Sequence, residues 1–232
     1  MLRAVLVVAL TFLYIVVVGS LTYVPAILLR RPELLYKVGI WGVRFCLWLS
    51  GAKLVVEGGE NMYPGEPCIY VCNHVSNLDP PAMAAILPQV AILAKKEVFR
   101  IPVLGPAMRW NRFIPVERGT ERAAAVVNMG VERLREGRSI LAFPEGTRSR
   151  TEEMLPFRHG TFLMAIRAGA PVVPITILGS RDMMKKGQPG IRPGTLRFVV
   201  HPPVPSRGLS EDDRGALAER VREIVGSALP KN

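Results

Sequence analysis

The chain has 232 residues, a formal net charge of +11 at pH 7 and 49% hydrophobic residues, with a mean hydropathy of +0.25. That length buries one substantial core, but a chain so apolar and so basic does not read as an ordinary soluble enzyme. It needs an anionic partner, either nucleic acid or an anionic membrane surface.

Residues 4–24, "AVLVVALTFLYIVVVGSLTYV", carry no charge. As a helix this run covers about 31 Å at about 1.5 Å per residue, enough to cross a hydrocarbon core. It is longer than the apolar centre of a cleaved signal peptide, and Pro25 with Arg30 and Arg31 is expected to end it as a retained anchor. Residues 34–51 are also apolar but carry Lys37 and Arg44, seven positions apart on one helical side, with Trp41 and Trp48 at the same interval. This suits a helix in the interface or the return leg of a hairpin, with a buried amphipathic helix as the alternative. Residues 1–51 are therefore assigned to a membrane-anchoring two-helix segment. Arg30 and Arg31 favour a cytoplasmic side after a single span, whereas with a hairpin they do not fix the side.

From residue 52 short apolar runs alternate with helical stretches. Strands are expected over 53–58, 68–73, 90–95, 139–144, 171–178 and 195–200, and helices over 80–87, 119–136, 158–168 and 210–229. Ser210 and the acidic run after it suit the start of the last helix, and Leu217, Val221, Val225 and Leu229 give it an apolar stripe. The pattern predicts a single α/β domain over 52–232, without dictating a strand order. "GAPVVPITI" (169–177) reads as a core strand with edge prolines, and 185–194 as a basic solvated loop.

His74 and Asp79 stand five positions apart in "VCNHVSNLDPP". Five residues along a helix leave side chains about 140° apart, and five along a strand put them on opposite faces. The two meet only across a turn, which "SNLDPP" supplies. Asp79 followed by Pro80 also reads as a helix N-cap with proline at the first helical position. The same carboxylate could therefore cap a helix, orient an imidazole, or do both. "FPEGTRSR" (143–150) puts Gly146 where backbone can approach a ligand, with arginines suited to phosphate. A charged turn with a local Glu–Arg pair is the alternative. Cys46, Cys68 and Cys72 form no disulfide framework and, with His74, no zinc knuckle, so reduced thiols and no metal are expected. There is no GxSxG elbow, P-loop or dinucleotide fingerprint. No aromatic-interleaved basic patch supports nucleic acid as the partner.

Together "NHVSNLDP", "RFIPVER", "FPEGTRS" and "APVVPITI", in this order and spacing, resemble the four sequence blocks of the glycerolipid acyltransferase family. The likeness is closest to its bacterial 1-acyl-sn-glycerol-3-phosphate acyltransferases and covers residues 53 to about 205. One departure is Arg158-His159, where two lysines are frequent. The resemblance implies a mixed-sheet acyltransferase domain in which His74 is the general base and Asp79 its orienting partner. Glu145, Gly146, Thr147 and Arg148 would bind the acceptor, with Arg118 and Lys95 near its phosphate. It implies acyl transfer from acyl-CoA or acyl carrier protein to lysophosphatidic acid at a cell membrane, with no cofactor. Glycerol-3-phosphate or another lyso-lipid as acceptor, and a non-catalytic phospholipid-binding protein, are the alternatives.

Overall fold

The computed structural model describes residues 2–62, 65–117, 120–149, 153–184 and 190–230. The uncharged N-terminal run is helical: α1 (Leu2–Tyr14), a π-helical turn (Ile15–Gly19) and α2 (Ser20–Leu28) follow without a break. Pro25 does not end the run, contrary to expectation. Its carbonyl still accepts the Leu29 N–H at 2.9 Å, so the last turn closes, and the chain leaves the helix at Arg30 with φ 52°. Ala9–Leu28 is long and apolar enough to cross a membrane, and little of it is buried within the protein.

α3 (Glu33–Ser50) runs back along this helix. Thr11 Oγ1 lies 2.8 Å from Cys46 Sγ, and the Tyr14 hydroxyl donates to the Val38 carbonyl at 2.7 Å. Because position 11 meets 46 while 14 meets 38, the two legs are antiparallel. Gly42 makes this approach possible, since a Cβ there would stand 2.3 Å from a Tyr14 ring carbon. Leu47 of α3 enters the core, whereas Trp41 and Trp48 are each 71% exposed on the outer side. Lys37 and Arg44 are both exposed, and the Arg44 guanidinium also reaches across to the helix that follows the second strand.

The remaining elements in chain order are β1 (Ala52–Glu57), β2 (Ile69–Cys72), α4 (Asp79–Ile86), β3 (Val90–Lys95), α5 (Leu104–Trp110), β4 (Ile114–Val116), α6 (Thr120–Arg135) and β5 (Ser139–Ala142). They continue with α7 (Gly160–Ala168), β6 (Val172–Leu178), α8 (Ser180–Met183), β7 (Gly194–Val200) and α9 (Arg214–Ser227). Among the described residues the strands form one sheet in the order β1-β7-β6-β2-β5-β3-β4, and only the β6–β7 pairing is antiparallel. The expected mixed α/β sheet is present, with β4 and α5 added. β4 has three residues including Pro115, too few to show a period.

Side chains alternate between two cores, as a sheet covered on both faces requires. Ile69, Val71, Ile140 and Val172 face α6, α7 and α9. Tyr70, Cys72, Leu141 and Val173 face Leu47 of α3 and Ala82, Met83 and Ala85 of α4. β6 is an interior strand, so the expectation of edge prolines is corrected. Pro174 is tolerated because β7 ends beside it: its carbonyl accepts His201 N–H, and the β7 ladder starts only at Ile175↔Val200.

Hydrogen bonds to backbone carbonyls help to join the hairpin to the domain. Arg44 Nε and Nη2 both donate to the Ala85 carbonyl, at 3.0 and 2.8 Å, near the end of α4. The Tyr23 hydroxyl of α2 donates to the carbonyl of Val103. Val103 has φ 65° and ψ −53° and lies between Pro102 O and Leu104 N, which bond at 2.7 Å. This is a γ-turn of the rare, strained hand, costing on the order of 1–3 kcal/mol and sustained by its surroundings.

In an open helix Gly42→Ala would gain roughly 0.5–1 kcal/mol. Here overpacking against Tyr14 costs about 1–3 kcal/mol and wins. The variant is expected to lower the thermal unfolding midpoint in detergent.

Candidate active site

β2 is followed by α4, which crosses the α3-covered face toward β3. Its neighbour β5 is followed by α7, which crosses the opposite face toward β6. The two connections leave adjacent parallel strands in opposite directions, and such a switch point opens a crevice at the carboxyl ends of the strands. His74 follows β2 there, and Glu145 to Arg148 follow β5. Asn73 holds the end of β2 in place by exchanging two hydrogen bonds with Ile177 of β6, at 2.7 and 3.0 Å.

His74 and Asp79 do meet across a turn. His74 Nδ1 lies 2.9 Å from Asp79 Oδ2, and the same oxygen accepts the N–H groups of Val75 (2.8 Å) and Ser76 (2.7 Å). An ionised carboxylate only accepts, so Nδ1 carries the proton and Nε2 is left with its lone pair. The imidazole also lies against Phe143, with ring centroids 4.7 Å apart.

Asp79 is not a helix cap. It is the first residue of α4, Leu78 holds the cap position, and no side-chain cap bond forms. Its side chain turns back because three donors converge on Oδ2 upstream. Oδ1 is buried with no hydrogen-bond partner among the described residues.

Glu145 is buried, 3% exposed, and both oxygens serve the backbone. Oε1 accepts His74 N–H at 2.6 Å and Oε2 accepts Leu155 N–H at 3.0 Å. Burial pushes its carboxyl above the ordinary range, while these two N–H donors pull it down. Ser149 N–H donates to the His74 carbonyl at 2.9 Å, so the histidine backbone is held from both sides. Glu145, expected to meet the acceptor, is thus bonded as a strut beneath His74.

Gly146 has φ 67° and, like Thr147, is exposed, and Arg148 is half-buried beside them. Lys95 ends β3, exposed and without a carboxylate partner among the described residues, while its neighbour Lys96 pairs with Glu117 at 2.9 Å. In the sheet Lys95 is two strands from His74, about 10 Å at the usual strand spacing. A groove of about 410 Å³ beside Lys96, lined also by Phe99, Arg109, Pro115, Val126 and Met129, extends this end of the sheet. Arg118, Arg150 and residues 185–189 of the 185–194 loop lie outside the described residues.

Cys72 is buried under the site, and burial, with the Asp79 charge second, pushes its thiol well above the ordinary range. It stays protonated and is no nucleophile. Among the described residues no group of His, Cys, Asp and Glu could hold a metal ion.

Sequence reasoning missed Asn73, Phe143 and Ser149, although all three lie inside or beside the quoted motifs. Leu155 contributes only a backbone N–H, which leaves no mark in a sequence.

Residues 53–178 match the acyltransferase family. The chain is 36% identical over 178 residues to a chloroplastic 1-acyl-sn-glycerol-3-phosphate acyltransferase of Brassica napus, covering 74% of this chain and 52% of that protein. It is 31% identical over 189 residues to the 1-acyl-sn-glycerol-3-phosphate acyltransferase of Borreliella burgdorferi, covering 81% and 76%. The chain thus spans about half the length of the plant relative and three quarters of the bacterial one. The crystal structure of the 1-acyl-sn-glycerophosphate (LPA) acyltransferase PlsC from Thermotoga maritima superposes with a TM-score of 0.84 at 27% identity, covering 98% of this chain and 93% of that one.

Gly146→Ala is expected to destabilise the protein by about 1–2 kcal/mol, the cost of a left-handed residue with a Cβ. Chemical denaturation should report it as a lower midpoint with unchanged slope.

Proposed function

The chain belongs to the acyltransferase family, and on that premise we propose that it acylates the free sn-2 hydroxyl of lysophosphatidic acid from an acyl thioester, forming phosphatidic acid. The observation that carries this reading is the oriented imidazole at the switch-point crevice, with Nδ1–H on a buried carboxylate and Nε2 without a partner among the described residues.

In this mechanism His74 Nε2 takes the proton from the acceptor hydroxyl as its oxygen attacks the thioester carbonyl. Asp79 keeps the tautomer and stabilises the imidazolium, as the acid does in a serine-enzyme triad. The tetrahedral intermediate collapses with C–S cleavage, and the imidazolium returns its proton to the departing thiolate. The acyl group goes directly to the acceptor, in keeping with the protonated, buried Cys72. Arg148 and Lys95 are assigned to the acceptor phosphate, as is Arg118. His74 and Arg148 lie in the loops after β2 and β5, and Lys95 ends β3 two strands away at the same end of the sheet. Glu145 is assigned to positioning, because its bonds fix the His74 backbone; Gly146 and Thr147 shape the acceptor turn. No cofactor is part of this mechanism, and the thioester is borne by coenzyme A or an acyl carrier protein.

Residues 1–51 are proposed as the membrane anchor and 52–232 as the catalytic domain on the cytoplasmic side of the cell membrane. The exposed apolar surface of the hairpin supports the anchor, including Leu28 at 77%.

Purified protein given an acyl thioester and lysophosphatidic acid is expected to yield phosphatidic acid, read by chromatography. Transfer to glycerol-3-phosphate or a lyso-lipid without a phosphomonoester, and none to lysophosphatidic acid, would overturn the acceptor. His74→Ala should lower kcat by at least about 10²–10⁴-fold with the fold retained.

Asp79→Asn is a finer probe. Only Oδ2 of Asp79 is used, so the amide oxygen can take all three hydrogen bonds, with the NH₂ in the place of the unpartnered Oδ1. The tautomer is then kept while the charge is lost, and kcat should fall by less than the roughly 10⁴-fold seen when the tautomer is lost. Glu145→Gln puts an NH₂ against one of its backbone donors. It should lower kcat with little change in acceptor KM; a rise in KM alone would instead mean that Glu145 touches the acceptor.

A further inference from the structure

Gly146 lacks a Cβ, and Arg158 occupies the space one would fill. Its Nε, Cζ and Cδ lie 2.7, 2.9 and 3.2 Å from that point. The guanidinium is therefore laid on the backbone of the 143–146 turn. Its segment is fastened there as well, since Arg158 N–H donates to the Pro144 carbonyl at 2.9 Å and Leu155 N–H to Glu145.

Several other exposed arginines are neutralised: Arg167 by Glu211, Arg197 by Glu57 and Arg207 by Glu66. Arg158 is exposed, and neither it nor Arg148, two residues after Gly146, has a carboxylate partner among the described residues. Like charges borne by one short turn and by the side chain laid on it repel each other, and a dianion bound by both removes that cost. The planar fork of arginine matches phosphate oxygens in pairs, which a lysine ammonium does not.

We propose that Arg158 is a substrate-binding residue: with Arg148 it forms a two-guanidinium site for a phosphate ester at the Gly146 turn. The inference rests on the acyl-transfer reading of this site and extends it to a residue outside the four sequence blocks. It also gives Gly146 a second reason to lack a side chain, since any Cβ would displace the guanidinium. The phosphate belongs either to the lysophospholipid acceptor or to the thioester donor, and separate saturation of the two tells them apart.

Arg158→Ala and Arg158→Lys, made in the full chain, are to be compared with the unmodified protein for three quantities. These are the KM of lysophosphatidic acid, the KM of acyl-CoA, and the affinity for inorganic phosphate by calorimetry. Loss of a charge-assisted, paired contact should raise the KM of one substrate about tenfold or more and weaken phosphate by a similar factor. Arg158→Lys should recover part of the loss, and kcat should change little. A rise confined to lysophosphatidic acid assigns the site to the acceptor, and one confined to acyl-CoA assigns it to the donor. Unchanged KM for both substrates overturns the proposal. If the unmodified chain transfers nothing to lysophosphatidic acid, the proposed function fails by itself. The phosphate measurement then decides: a loss of affinity in Arg158→Ala upholds the anion site and unchanged affinity rejects it.

Discussion

A single buried carboxylate oxygen, Oδ2 of Asp79, gathers the Nδ1–H of His74 and the backbone N–H groups of Val75 and Ser76. A turn left to itself would place its side chains loosely, because each residue retains rotamer and backbone freedom worth on the order of 1 kcal/mol or more. Here three donors on one acceptor remove that freedom together. Ring orientation, tautomer and turn shape become one property, so none can change without the others. That Asp79 is completely buried sharpens the constraint, since a charge out of water must keep its donors.

The second constraint comes from the neighbouring strand. Glu145 takes the N–H of His74 and Ser149 gives an N–H to its carbonyl. The histidine is thus locked between a turn closed by its own segment and a loop delivered by β5. This arrangement follows from the sheet order. Only because β2 lies directly beside β5, with connections leaving over opposite faces, do the two loops share a crevice. The long gap in sequence between positions 74 and 145 is closed by parallel pairing over Ile69↔Ile140 to Val71↔Ala142.

Much of this was legible in the residues. The alternation of apolar runs and helical stretches announced the α/β class, and the geometry of a five-residue spacing required a turn between His74 and Asp79. The family blocks pointed to the same loops that the fold brings together. Other features left no local signal. Strand order depends on which faces pack, and β4 is too short to show a period. The direction of the Asp79 side chain stayed open, because Asp-Pro has the same appearance whether the carboxylate points forward into the helix or back into the turn. The bonds that Glu145 makes left no mark in the motif, since its partners are main-chain groups that any residue could supply. Arg158 stood out only as a departure from a lysine pair, and its place over Gly146 depends on the path of the 155–158 segment.

The outermost pairing of the sheet bears on how the chain is made. β1 is bound to the sheet through β7 alone, and the Glu57–Arg197 contact across that pair joins residues 140 positions apart. At about 5–20 residues per second a ribosome needs roughly 7–28 s to cover that distance. The hairpin legs, both within the first 50 residues, can close long before then, while β1 waits without a ladder partner. Leu54, Val55 and Val56 remain 37–40% exposed even after folding, so the waiting strand is an apolar edge open to wrong partners. Vectorial synthesis thus leaves the β1 edge as the segment most in need of shielding until β7 has been made.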